Sequence, residues 1–275
     1  MSKTEITASE QDNQLPAELM AEMEDHGDLG YSEKSDDSLI PIVAILQDNS
    51  GEVKKKHDRH IEGCEAGDLI IRSLKMIFKA DLASDEEGND GILFQPCGFQ
   101  HMLVQWRGEA GEGQIITQYP FEECPEEAEE REDPENPGKM ELAMPNGDRL
   151  VDTRYHYGNI IEANGELLPC VIPFGGTNHT VSRQWTSLMK RKKTPSGKKA
   201  PSFFNAYRLG SVFRQKGQQS WYSYTMKEEG PITDKDTLVS GFEMLKAIAE
   251  QKISVDTKSD TSGSENKKSE KSPID

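Results

Sequence analysis

This sequence has no long apolar run, no cysteine pair and no catalytic signature. No stretch of 18 or more apolar residues occurs, so no membrane-spanning helix is expected. The opening MSKTEITASEQDNQ lacks the apolar centre of a signal peptide, and a cytoplasmic protein is expected. Cys64, Cys97, Cys124 and Cys170 are scattered without a CxxC, which argues against a disulfide framework and for four isolated thiols. There is no GxSxG, P-loop, HExxH or dinucleotide fingerprint, and the acidic stretches lack the spacing of a calcium loop. The residues therefore point to a protein that is not an enzyme and needs no cofactor. GGTNH (175–179) offers a helix entry suited to one phosphate, although a plain strand-to-helix turn is its commoner use. His57, His60 and Cys64 are acceptable zinc ligands, as are Cys97 and His101, but neither group has finger or ribbon spacing, so no metal site is expected.

A second absence is local. The chain carries 49 acidic and 32 basic residues, a net charge of -17, yet residues 167–226 contain no Asp or Glu. That segment holds ten cations: Arg183, Lys190, Arg191, Lys192, Lys193, Lys198, Lys199, Arg208, Arg214 and Lys216. The acids lie elsewhere, so the two charge populations are segregated, and segregation is what creates a local field. The same segment holds nine of the nineteen aromatic residues. Cations that track phosphates and flat side chains that stack on unpaired bases are the two requirements for holding single-stranded nucleic acid.

Hydrophobic residues are only 34% of the chain, so parts of it cannot bury enough surface to fold. Residues 1–38, with eleven acids and two lysines, read as a disordered acidic arm, and 254–275 as a disordered polar tail. The domain between them, 39–253, is interrupted by an acidic insertion at about 121–140, where residues 122–136 hold nine acids, one arginine and two prolines. No packed element is expected there.

The rest reads mainly as strands. SLIPIVAILQ fits a strand or a helix start, GDLIIRSL a strand, and ILFQP and FQHMLVQW two runs broken at Pro96–Gly98. LVDTRYHYGNII and LLPCVIPF, around EANGE, read as a hairpin, as do FFNAYRLGSVF and SWYSYTM around RQKGQQ. Between the hairpins, Val181, Trp185, Leu188 and Met189 have helical spacing, with Asn178 or Thr180 as cap. A last amphipathic helix follows a capping box at Thr233 and Asp236. The expected class is mainly β with two helices (α+β). The element order from about 99 to 226 is that of an OB-fold, a Greek-key barrel with a helix between its third and fourth strands; a C-terminal helix follows.

Trp185, Phe203 and Phe213 are expected to pack in the core. The candidate nucleic-acid-binding set is Lys190, Arg191, Lys192, Lys193, Lys198, Lys199, Tyr207, Arg208, Arg214, Trp221, Tyr222 and Tyr224. Six of these cations fall within KRKKTPSGKK, too dense for a core and suited to a projecting loop. Alternation places Trp221 with Ser223 on one strand face and Tyr222 with Tyr224 on the other, so one of those faces must be core.

The segments SLIPIVAILQDNSGEVKKKHDRHIEGCEAGDLI, HMLVQWRGEAGEGQIITQY, RYHYGNII, SRQWTSLMKRKK and FFNAYRLGSVFRQKGQQSWYSY resemble early proteins of tailed bacteriophages, a group associated with phage single-stranded DNA-binding proteins. The resemblance implies an OB-fold protein that coats single-stranded DNA during phage replication or recombination. Its setting would be the host cytoplasm, with phage replication or recombination proteins as partners and a homodimer as a compatible state. A rival expectation is a phage protein that inhibits a host defence or transcription factor through its acidic segments, acting as DNA mimics.

Overall fold

Two long runs of alternating residues organise the structure. The computed structural model describes residues 39–82, 91–108, 114–134 and 137–257. In chain order the strands are β1 (Leu39–Ile40), β2 (Val43–Ile45), β3 (Leu69–Ile71), β4 (Met76–Phe78), β5 (Ile92–Arg107), β6 (Gln114–Pro120) and β7 (Glu129–Glu132). They continue with β8 (Met140–Ala143), β9 (Arg149–Ile161), β10 (Leu167–Gly175), β11 (Asn205–Lys216), β12 (Gln219–Pro231) and β13 (Ser254–Val255). Helix α1 (His179–Lys190) lies between β10 and β11, and α2 (Lys235–Ala249) follows β12. The fold is thus mostly β with two helices. Among the described residues, no helix is long and apolar enough to cross a membrane.

The main sheet runs β12-β11-β5-β9-β8-β7, with β10 also on β9 and β6 also on β5. β2, β3 and β4 form a small separate sheet, and β1 pairs in parallel with β13. Both expected hairpins form, β9 with β10 and β11 with β12, each antiparallel. Of SLIPIVAILQ, residues 39–45 are extended, as β1, a bridge at Ile42 and β2. The two runs divided at Pro96 are one strand: β5 carries Pro96-Cys97-Gly98 as a bulge, with Pro96 opposite Gly158, Gly98 opposite Tyr157 and Cys97 as the extra residue. A bulge is where a central strand tolerates a proline.

Two glycines allow close approach at this point. A Cβ on Gly158 would lie 2.1 Å from the Gln95 carbonyl oxygen, and one on Gly98 would lie 2.4 Å from Ile248 Cδ1. β9 therefore presses against β5, and α2 against the bulge.

Alternation along β9 and β10 builds a core on each face. Ile160, Ile172 and Phe174 join Phe94, Tyr207, Leu209, Tyr224 and the α1 residue Trp185 in one cluster. Tyr155, Tyr157 and Val171 join Cys97, Val104 and the α2 residues Met244 and Ile248 in the other. Trp185 is fully buried, with the Phe94, Phe174 and Tyr207 rings at 5.8, 5.9 and 5.6 Å and the His156 ring stacked at 4.8 Å. The polar joint between sheet and helices is Gln95. Its Nε2 donates to the carbonyls of Phe203 and Thr237 at 3.0 and 2.9 Å, and its Oε1 accepts from Asn159 Nδ2 at 2.9 Å.

Three further expectations are revised. The α2 cap is Asp234, whose Oδ2 accepts from the Thr237 backbone N–H and hydroxyl, both at 2.7 Å; Thr233 and Asp236 do not form the box. Asn178 precedes α1 but does not cap it with its side chain. Its Oδ1 instead accepts from Ser223 Oγ and the Tyr224 N–H, while Gln47 brackets the Tyr222 backbone with one bond each way. Those bonds cover part of the β12 edge, which would otherwise invite strand addition. Within the acidic insertion, Glu129–Glu132 pair with Met140–Ala143, and Arg131 holds Glu141 at 2.8 Å and donates to the Gly147 carbonyl. A cross-strand ion pair offsets part of the acid–acid repulsion that argues against structure there. Ser254–Val255, assigned to the tail, pair with β1. The arm 1–38 and the rest of the tail lie outside the described residues.

His156 supplies a test of this core. Burial, reinforced by the charge of Arg154, pushes its pKa down to about 3. The unfolded chain takes up this proton near pH 6.5 and the folded chain does not. Its contribution is therefore complete above about pH 6.5 and is lost as pH falls from there toward 3, at about 1.4 kcal/mol per unit. NMR should show the His156 ring resonances unshifted from neutral pH down to about pH 4.5, with urea stability falling over the same range.

Candidate nucleic-acid interface

Helix α1 turns Trp185 and Ser182 inward and leaves Arg183, Gln184, Ser187, Leu188 and Lys190 exposed. The cations that follow do not hang in a free loop. Lys193 and Lys199 face each other in an antiparallel bridge. Thr194 N–H donates to the Lys198 carbonyl at 2.8 Å, Gly197 N–H donates to Thr194 at 2.8 Å, and Ala200 N–H donates to Lys192 at 2.9 Å. Gly197 takes φ +79°, which closes the turn without the penalty an L side chain would meet. KRKKTPSGKK is thus a small basic hairpin on the end of α1.

Its charges divide into two classes. Lys192 pairs with Glu228, and Arg208 lies 3.4 Å from Glu229 Oε1, so the acids just beyond the acid-free segment reach back to two of the candidates. Lys190, Arg191, Lys193, Lys198 and Lys199 are exposed, and among the described residues none forms an ion pair. Five like charges around one short turn repel one another, and a polyanion relieves that repulsion.

The aromatic candidates sit elsewhere. Tyr207, 1% exposed, is a core residue against Trp185; burial, then Glu228, pushes its phenol up to about 12. Tyr224 is buried too, and its hydroxyl donates to the Val43 carbonyl at 3.0 Å. Neither can stack on a base without unfolding the sheet. Trp221 and Tyr222 are half-buried near the far end of the β11–β12 hairpin, where Trp221 pairs across from Arg214 and a Cβ on Gly67 would meet the Tyr222 ring at 2.6 Å. Phe213, expected in the core, is 48% exposed beside Tyr222, with ring centroids 5.5 Å apart. Phe203 is half-buried against Phe242, whereas Trp185 is core as expected. Arg208 to Arg214 is six residues of strand, roughly 20 Å. Nine of the twelve candidates therefore form two separate groups, a basic hairpin of six cations and a hairpin tip of Arg214, Trp221 and Tyr222, while Tyr207 and Tyr224 are withdrawn into the core and Arg208 lines a different groove with Ile77 and Leu93.

Beside the basic hairpin lies a groove of about 540 Å³, lined by Phe99, Met189, Lys190, Lys199, Pro201 and Leu245 among others. Phe99, 40% exposed, is an aromatic the sequence reading assigned only to a strand. The available signal was Pro-Cys-Gly inside a β-rich run, which marks a bulge.

His57, His60 and Cys64 do not converge as ligands. His57 Nδ1 accepts from the Arg59 N–H, and His60 Nδ1 faces the Glu52 carbonyl at 3.0 Å. Among the described residues no group of three or more His, Cys, Asp or Glu is arranged to hold a metal. All four cysteines are free thiols.

Residues 10–254 match the family model described as Pam3 phage gp34-like protein. The chain belongs to this family. That bears out the phage side of the resemblance, since the gp34-like match spans the acidic insertion and both helices as well as the sheet. No curated protein and no solved structure matches the chain.

The division of the gp34-like site into core and surface residues has a direct check. Tyr207→Ala should cost about 3–5 kcal/mol in urea unfolding, as for other buried aromatics. Lys193→Ala and Lys198→Ala should stay within about 0.5 kcal/mol of the parent.

Proposed function

We propose that this gp34-like protein binds single-stranded DNA without sequence preference, as a non-enzymatic coating protein in phage replication or recombination. The observation that carries the reading is the cluster of five exposed cations at the end of α1 and on its hairpin, unpaired among the described residues of a strongly acidic chain. Such a cluster, free of carboxylate partners among the described residues, offers a surface on which phosphates could replace condensed counterions. The strand arrangement supports the reading as well. β5 pairs with both β9 and β11, β10 joins β9, β12 joins β11, and α1 connects β10 to β11. With β5 read as strand one, this order is compatible with an OB-like arrangement, although β10 and β12 do not pair to close a barrel among the described residues; OB-folds repeatedly serve as oligonucleotide platforms. The bound state would reside in the host cytoplasm, with replication or recombination proteins, or a second copy, as partners.

A second reading is favoured by the ordered β7–β8 hairpin, which holds Glu129, Glu130 and Glu132 exposed on a fixed frame. A fixed row of carboxylates suits a DNA mimic that inhibits a host factor. Substituting the three by glutamine separates the readings. DNA binding should be retained or strengthened under the first, and host-factor binding lost under the second.

The test of the main reading is anisotropy of labelled single-stranded oligonucleotides over a range of salt. The logarithm of affinity should fall linearly with that of salt, by about 0.7 per phosphate neutralised. Each of Lys193→Ala and Lys198→Ala should lower that slope by about 0.7. Binding that is absent, or indifferent to salt, would remove the reading.

A further inference from the structure

The cations lack a neighbouring stacking residue in the sequence-derived set, because Tyr207 and Tyr224 are core and Trp221 and Tyr222 lie at the other end of the hairpin. The bulge in β5 supplies one. Phe94 is opposite Ile160 and Phe99 is opposite His156. Ile160 and His156 are four apart and share a sheet face, so Phe94 and Phe99, five apart, share it as well. Without the extra residue Cys97, Phe99 would point to the α2 side. With it, Phe99 stands on the α1 side, next to Lys190 and Lys199.

We propose that the groove beside Phe99 receives an unstacked base of the bound strand, with Phe99 as the stacking surface and Lys190 and Lys199 on the flanking phosphates. This rests on the single-stranded DNA reading and locates its base site. The His156 ring meets Phe99 edge-on at 5.1 Å, which steadies the aromatic from the core side while two-fifths of the residue stays open. Met189, Pro201 and Leu245 give the groove apolar walls. Its two hydroxyl protons are already committed. Ser202 Oγ donates to the Cys97 carbonyl at 2.7 Å, and Thr186 Oγ1 donates to Ser182 at 2.9 Å. A pocket that stacks but offers no free hydroxyl donor to a base edge accepts any base, which fits binding without sequence preference. An acidic peptide with one apolar side chain is the competing occupant. It needs only the two lysines at the groove, whereas the unpaired cations continue through Arg191, Lys193 and Lys198 onto the hairpin as a track for a backbone.

The full chain is titrated with an oligothymidylate and with an abasic deoxyribose-phosphate oligomer of the same length, using the parent, Phe99→Ala, Phe99→Trp and the double variant Lys190→Ala, Lys199→Ala. Phe99→Ala should weaken oligothymidylate binding by about 5- to 150-fold, the range of one lost stack, and leave the abasic oligomer unchanged. Phe99→Trp should bind oligothymidylate at least as well as the parent, and the lysine variant should weaken both ligands and flatten the salt slope. Thermal melts of all variants verify folding. If the parent binds oligothymidylate and Phe99→Ala binds it equally well, or loses both ligands alike, the base site is wrong and the function stands. If the parent binds neither ligand, the function falls and the base site with it. A glutamate-rich peptide with one aromatic residue that binds the parent, is lost with Phe99→Ala, and is not displaced by oligothymidylate would give the groove to a protein partner and overturn the assignment.

Discussion

One extra residue in one strand sets the relation between the two faces of this protein. Up to Pro96, β5 keeps the parity that places Phe94 in the Trp185 cluster. Beyond Cys97 the parity is reversed, and each later side chain of β5 stands on the face opposite to the one plain alternation gives it. Cys97 itself packs in the second core with Tyr157 and Ile248. The same bulge provides the carbonyl that anchors Ser202, and so fixes the end of the basic hairpin against the sheet. Gly98 leaves the space into which Ile248 of α2 fits. Core, helix docking and groove therefore share a single irregularity.

The Trp185 cluster shows what holds the helix carrying the cations. Trp185 closes one face through aromatic contacts, and His156 Nε2 bonds to Ser182 Oγ at 2.8 Å one turn earlier on the same helix. Burial favours the neutral imidazole here, because a charged ring would carry a second N–H at Nδ1, which has no hydrogen-bond partner. Arg183 and Lys190 of α1, and the basic hairpin that follows, thus rest on an apolar footing that is itself sensitive to acid.

Much of the fold was legible in the sequence. The β9–β10 and β11–β12 hairpins and both helices announce themselves by period, and period survives whatever packs on top. What period does not carry is which face is inside. Tyr222 and Tyr224 lie on one side of β12 by alternation, yet Tyr224 is sealed beneath Val43 while Tyr222 is only half-covered. Phe213 stays open because β11 outruns the core near its turn. These outcomes depend on β2, and on a glycine loop at Gly67, more than a hundred residues away in the chain. Residue-by-residue choice among the aromatics therefore lay beyond local reading. The β7–β8 pairing was hidden for another reason: composition counts the acids but does not see Arg131 facing Glu141 across the strands.

Charge segregation acquires a sharper meaning once the strands are paired. An acid-free segment in sequence is not acid-free in space, because β12 returns Glu228 and Glu229 alongside β11. Those two carboxylates pair with Lys192 and Arg208, and Glu228 also accepts from Asn205 Nδ2. Among the described residues, Lys190, Arg191, Lys193, Lys198 and Lys199 at the end of α1 and on its hairpin are left without an ion pair. Their freedom follows from geometry rather than from composition alone. A helix held by its tryptophan, extended by a tight turn at Gly197, places positive charge where none of the described carboxylates pairs with it. Like charges crowded around one short turn repel one another, so each ion pair forgone there is a cost that the Trp185 footing of the helix has to offset.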